Sequence, residues 1–115
     1  MKIRNEVKIA QACHAVHNIH CQATGNKVTP WEERTPEHQA IVINSVEKVL
    51  SGEITSPEEA HENFVHMKEQ FGWEYGEEFS TKYKTSPALC DYDELEPVAR
   101  QSTEFFFAVA STFKK

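Results

Sequence analysis

Basic residues are scarce and dispersed in this chain. Lys and Arg total 12 against 18 Asp and Glu, a formal net charge of −6. The densest basic run is only TKYKT, around Lys82 and Lys84. Duplex nucleic acid is held by neutralising phosphates with Lys and Arg, and anionic membrane surfaces attract polybasic segments. Neither is an expected partner. Long apolar runs are also missing: none approaches the ~18–20 residues of a membrane span. MKIRNEVKIA lacks the apolar stretch of a secretory leader. Cysteine is sparse and odd in number, at Cys13, Cys21 and Cys90, which argues against a closed disulfide framework. On a helix, Cys13 and Cys21 would stand about 12 Å apart at ~1.5 Å per residue, too far to bridge. Three free thiols and a cytosolic location are the expectation. GxGxxG and P-loop patterns are absent, which leaves phosphate binding in those modes without support. No CxxC pair, linker, repeat or low-complexity tract occurs.

What is present is enough for one small domain, expected over residues 1–115. The chain is 39% hydrophobic and 10% aromatic. A chain of this length buries roughly 65% of the surface its unfolded form exposes, enough for a core without staples.

Helical periodicity defines four segments. The first, from about residue 4 to 24, places Ile9, Ala12, Val16 and Ile19 on one face and stops at Gly25-Asn26. A turn carrying Trp31 follows. The second opens at Thr35-Pro36-Glu37, with Thr35 as N-cap and Pro36 in the first helical position. Its inner face is Ala40, Ile43, Val46 and Leu50, widened by Ile41 and Val49, and Ser51-Gly52 ends it. The third starts at Ser56-Pro57-Glu58-Glu59, a capping-box pattern. It runs along Ala60, Phe64, Met67 and Phe71 to Gly72. The last begins near Glu96-Pro97 and carries Val98, Ser102, Phe105, Phe106, Val109 and Phe113. Phe105–Phe107 cannot all point one way on a helix, so this helix is either central or meets a partner. Between Trp73 and Leu95 the helical period vanishes, and the alternation in WEY allows Trp73 and Tyr75 to share one side of a short strand. The expected fold is mostly α: four helices with a loop or short β element around WEYG.

The same stretch carries a resemblance. GWEYGEE, followed about a dozen residues later by SPALCDYDEL, resembles the ryanodine receptor repeat, the RyR domain family. That family reads as a His-and-aromatic helix, a Lys, Gly-Trp-x-Tyr-Gly, then a loop ending in His-Pro-x-Leu-x-x-Tyr-x-x-Leu before a final helix. The matching positions on the third helix are His61, Phe64 and Lys68. Gly72, Trp73, Tyr75 and Gly76 match in the turn, and Pro87, Leu89, Tyr92, Asp93 and Leu95 after the loop. The resemblance covers the chain from about residue 7 onward. Ser86 replaces the family's His, Cys90-Asp91 its Val-Pro, and Glu96-Pro97 its Pro-Glu-Glu; Phe64 stands where Trp is common. The resemblance implies a non-catalytic binding module of the free-standing bacterial or phage type. It would recognise a partner protein or a small nucleotide-like ligand, and a homodimer would supply the second repeat that relatives carry in tandem.

Three clusters bear on chemistry. CHAVHNIHC, residues 13–21, sets Cys13, His17, His20 and Cys21 within a wedge of about 100° at ~100° per residue. A zinc ion takes thiolate and imidazole ligands in a tetrahedron, so Cys13, His17 and Cys21 with a remote His61, His66 or Cys90 form one candidate set. The wedge abuts the apolar face, however, and free Cys packs as a small hydrophobe; the packing reading is preferred and no cofactor is expected. Cys13 with His17 lacks an orienting third group and an oxyanion hole, so no catalytic residue is assigned and the chain is not expected to be an enzyme. The carboxylate pairs at Glu32-Glu33, Glu58-Glu59, Glu77-Glu78 and Asp93-Glu94 mostly sit at helix starts, where the macrodipole favours negative charge. The loop aromatics are the better candidates. Trp31, Trp73, Tyr75 and Tyr92, with Arg34, would form a stacking platform for a planar ligand. The competing role for Trp73 and Tyr75 is to staple the loop to the helices. Two alternatives complete the set: a metal-binding protein built on the first helix, and a structural protomer of a homo-oligomer using Phe105–Phe107.

Overall fold

The computed structural model describes residues 5–114. The expected start of the first helix at residue 4, and the two ends of the 1–115 domain, lie outside them. Four helices form: α1 Asn5–Ala23, α2 Pro36–Ser51, α3 Pro57–Gln70 and α4 Pro97–Thr112. Two strands of two residues each, β1 Glu74–Tyr75 and β2 Thr85–Ser86, pair in parallel. Single 3-10 turns at Trp31–Glu33 and Tyr92–Glu94 lead into α2 and α4. The fold is mostly α.

The helix starts follow their side-chain chemistry. Thr35 accepts the His38 N–H at 3.1 Å and Ser56 accepts the Glu59 N–H at 3.2 Å, each with Pro in the first turn. Each cap satisfies one of the donors that a helix N-terminus leaves unpaired. The Glu59 carboxylate reaches back to the Thr55 N–H at 2.7 Å, one residue before the position a capping box uses. Gly52 ends α2 at φ 87°, a left-handed conformation that glycine adopts without a Cβ penalty.

The core gathers Ile9, Ala10 and Cys13 of α1, Val46 and Val49 of α2, Ile54, Ala60 of α3 and Ala110 of α4. Here the structure corrects the expected faces. On α1 the buried stripe is Ile9, Ala10, Cys13, His14, His20 and Cys21. Ile19 is 66% exposed. On α2, Ala40 faces solvent while Ile41, Ser45, Val46 and Val49 are buried. Phe71, past the end of α3, is exposed, and Asn63 is buried in its stead. The physical reason is shared: polar side chains that find partners on neighbouring elements occupy core positions that a purely apolar count gives to hydrophobes. Asn63, for example, accepts from Lys48 Nζ at 3.0 Å and donates to Ser45 Oγ at 3.0 Å.

Of the three phenylalanines in α4, Phe106 and Phe107 pack against the core while Phe105 is exposed. Trp73 and Tyr75 do not share a side as expected, because the strand is only two residues long: Trp73, just before it, is buried, and Tyr75 is exposed. β1 and β2 approach closely beyond their ends. A Cβ on Gly76 would stand 2.7 Å from Thr85 Cβ, closer than packed carbons allow.

Candidate functional site

The histidine-rich segment of α1 is a hub of ties to other elements. His14 Nε2–H donates to the Thr29 carbonyl at 2.6 Å, and Asn18 donates to the same oxygen at 2.9 Å. His20 Nε2–H donates to the Val98 carbonyl at 3.2 Å, and its ring meets Phe105 edge-on at 5.1 Å. A carbonyl can only accept, so both rings carry hydrogen on Nε2. Cys21 Sγ lies 3.3 Å from His17 Nε2, and Cys13 Sγ–H points to the Phe106 carbonyl at 3.9 Å. Burial pushes the Cys13 thiol up to about 12, so it stays a protonated, poorly reactive group. All three cysteines are free. Among the described residues, no three His, Cys, Asp or Glu side chains converge as metal ligands. Of the donors that the metal reading needs, His17 and Cys21 contact each other and Cys13 turns to the Phe106 carbonyl, while His61 donates through Nε2–H to the Cys90 carbonyl at 2.7 Å.

Between the four helices lies a cavity of about 310 Å³. Its volume falls at the low end of small-molecule sites, roughly 300–1,000 Å³. Its existence follows from side-chain size. Ser45 on α2, Ala60 on α3, and Ala99, Ser102 and Thr103 on α4 line it; facing helices that present small residues at i, i+3, i+4 spacing leave volume between them. Ile41, Val42, Phe64, Leu95 and Phe106 supply apolar wall. The remaining lining is mainly imidazole: His14, His17, His38 and His61, four of the six histidines.

Two of these rings are held neutral. His17 is lowered to about 4, by burial first and then by the charge of Arg34 and the neighbouring His14 and His20. His38 is lowered to about 3, by burial first, then by Arg34 and Lys68. Neutral imidazole offers one donor and one acceptor, a lining suited to hydrogen-bonding a ring compound. An open groove of about 540 Å³ runs along the outer side of α3 to the Tyr92 turn. His61 lines both spaces, and Glu58, Glu62, Asp91 and Asp93 make the groove acidic.

The five residues expected to form a stacking platform are not brought together. None lines the cavity, and only Tyr92 lines the groove, with its ring 6.0 Å from that of His61. Trp31 packs on the core and meets His14 edge-on at 5.7 Å. Trp73 is buried at the start of α2: its Nε1–H donates to Glu37 Oε1 at 2.8 Å, and Lys68 Nζ stands 4.1 Å from its ring centroid. Tyr75 projects into solvent, 58% exposed. Arg34 sits beside the cavity, within electrostatic reach of His17 and His38. His14, His38 and His61 are the residues that sequence reasoning passed over as ligand contacts. The available signal was His38, Ile41, Val42 and Ser45 on one stripe of α2, opposite Ala99, Ser102 and Thr103 on α4.

The fold and site define the class: a four-helix α domain with a small, histidine-lined apolar cavity, open to one side, between its helices. No family model, no curated protein and no solved structure matches the chain. No helix among the described residues is long and apolar enough to cross a membrane.

Proposed function

We propose that this chain is a non-catalytic binding module that takes up a small ring-bearing molecule in the cavity between its helices. The observation that carries this reading is the 310 Å³ cavity itself, apolar in its walls and edged by four imidazoles. The resemblance of Trp73–Leu95 to the RyR repeat supports it from the sequence side and favours a nucleotide-like molecule in a cytosolic module. A general base is most effective with a pKa near the working pH. His17 at about 4 and His38 at about 3, with a Cys13 thiol at about 12, favour binding over proton transfer.

The test is a thermal-shift series with nucleosides and nucleotides on the wild type and on Ser102→Phe, which fills the cavity from α4. A ligand that binds only the native state raises the melting temperature with concentration. The wild type is expected to respond and the filled variant to lose the response. Equal responses in both would place binding elsewhere.

A second reading rests on a surface. Ile19, Val98 and Phe105 are exposed where His20 joins α1 to α4, which suits a homodimer contact. Light scattering of wild type and Phe105→Glu decides it: a concentration-dependent dimer lost in the variant supports that reading, and a monomer at all concentrations removes it.

A further inference from the structure

We infer that the acidic groove between α3 and the Tyr92 turn is a second site, separate from the cavity, that docks a short arginine-bearing peptide segment of a partner protein.

The groove carries charge without compensation. Glu58, Glu62 and Glu69 line it from α3, and Asp91 and Asp93 line it from the turn. All five are exposed. The single ion pair among the described residues, Lys84 with Glu37, involves none of them, and among those residues no Lys or Arg lines the groove. Helix stability does not explain the row. Glu58 and Asp93 sit in first turns, where the macrodipole favours a carboxylate, but Glu69 stands in the last turn of α3, where it is disfavoured. Glu58 and Glu62, at i and i+4, repel each other. Nor is the row a cation pocket: no three His, Cys, Asp or Glu side chains among the described residues converge to hold a metal ion.

The walls define what the row fits. His61 is only 4% exposed yet lines the groove. Its Nε2–H is spent on the Cys90 carbonyl at 2.7 Å, which leaves Nδ1 of the neutral ring as an acceptor. No donor among the described residues reaches that nitrogen, and an unpaired acceptor on a buried ring calls for a donor from a ligand. The Tyr92 ring, 6.0 Å from that of His61, offers an aromatic face, and Val65 and Leu89 add apolar wall. Burial first, then the charges of Glu104 and Glu58, raise the Tyr92 hydroxyl above its usual range, while Arg100 acts in the opposite sense. Arginine meets each of these features. Its planar guanidinium pairs with carboxylates bidentately, donates to a bare nitrogen and stacks on an aromatic face, and its aliphatic stem covers apolar wall. The spacing sets the length. Glu58 and Glu62 stand ~6 Å apart along the helix at ~1.5 Å per residue, close to the ~6.6 Å between alternate residues of an extended chain. Glu58 to Glu69 spans ~16 Å, the reach of about five extended residues.

Calorimetric titration with a capped Arg-Ala-Arg-Ala-Arg peptide, its Lys and Glu counterparts and calcium chloride tests the inference, together with NMR of the wild type. The Arg peptide is expected to bind one-to-one and to weaken as salt is raised. The Lys peptide should bind at least ~5-fold more weakly, as loss of guanidinium stacking implies, and the Glu peptide and calcium should not bind. Glu58→Gln/Glu62→Gln should lose at least ~10-fold in affinity for the Arg peptide. Glu77→Gln/Glu78→Gln makes the same change in net charge at exposed positions outside the groove and should lose less than ~2-fold. In the wild type the Arg peptide should shift the His61 ring nitrogens and the Tyr92 ring protons, a readout independent of whether the variants fold. Equal losses in the two double variants, or binding that leaves His61 and Tyr92 unmoved, overturns the docking site. So does calcium binding in place of the peptide, or no binding at all. Equal affinity for the Arg and Lys peptides overturns the arginine assignment.

Discussion

Replacing Trp73 by Phe tests where this residue works. The substitution removes the indole N–H that Glu37 accepts at 2.8 Å. Hydrogen bonds to charged groups contribute about 1.5–3 kcal/mol. Glu37 is only half-buried and can turn to water, so the lower end, ~1.5 kcal/mol, applies. Lys68, 4.1 Å above the ring, interacts less with Phe than with Trp, a loss of about 0.5 kcal/mol. The smaller ring gives up roughly 40 Å² of buried apolar surface, about 1 kcal/mol at ~25 cal/mol/Å². The expected total is about 3 kcal/mol, a fall in melting temperature of roughly 12 °C for a domain of this size. Urea denaturation measures it directly. Glu37→Gln keeps an acceptor oxygen but loses the charge, and should cost ~1 kcal/mol. The double variant should cost about 1 kcal/mol less than the sum, because both changes remove one interaction. A Trp73→Phe protein within ~0.5 kcal/mol of wild type, and additive with Glu37→Gln, would refute the structural role and return Trp73 to the set of free loop aromatics.

Four further outcomes follow from individual positions. His17 and His38 have folded values of about 4 and 3 against ~6.5 unfolded, so the unfolded chain binds more protons as pH falls below ~6.5. Stability should be full above that pH and decline towards pH 4 with a slope of at most ~2.7 kcal/mol per pH unit; both rings are partly exposed, so about half that slope is expected. Urea midpoints of a His17→Gln/His38→Gln variant check this, and an unchanged slope contradicts it. Asn63→Ala should cost about 2–3 kcal/mol by urea denaturation, because it strands Lys48 Nζ and Ser45 Oγ. Gly76→Ala should lose ~1–3 kcal/mol through its 2.7 Å clash with Thr85. Gly25→Ala, with nothing within 4 Å but φ at 77°, should lose only the ~1 kcal/mol of backbone strain; thermal melts separate the two.

The helices were legible in the sequence because their signals are local. Thr35-Pro36, Ser56-Pro57 and Gly52 encode caps within a few residues, and all three act as caps. The faces were less legible. Ile19 completes an apolar pattern yet stays exposed, while His14 and Asn63 are buried, because their partners, the Thr29 carbonyl and Ser45, lie 15 and 18 residues away. The site was least legible. A cavity is an absence of side-chain volume, and Ala99 or Ser102 reads as ordinary helix until it is set opposite Ser45. From their spacing the Cys and His residues of α1 offered a metal set as an alternative to the preferred packing role. In three dimensions His14, His20 and Cys13 turn to three different partners.

The account's central claim is that the cavity binds a small ring compound, and the imidazoles report on it directly. Long-range ¹H–¹⁵N NMR can follow the ring nitrogens of all six histidines during titration with adenosine 5′-monophosphate. The account predicts saturable shifts at His14, His17, His38 and His61, with His20 and the exposed His66 unmoved. Shifts confined to His66, or no saturable shift at the four lining rings, would contradict it.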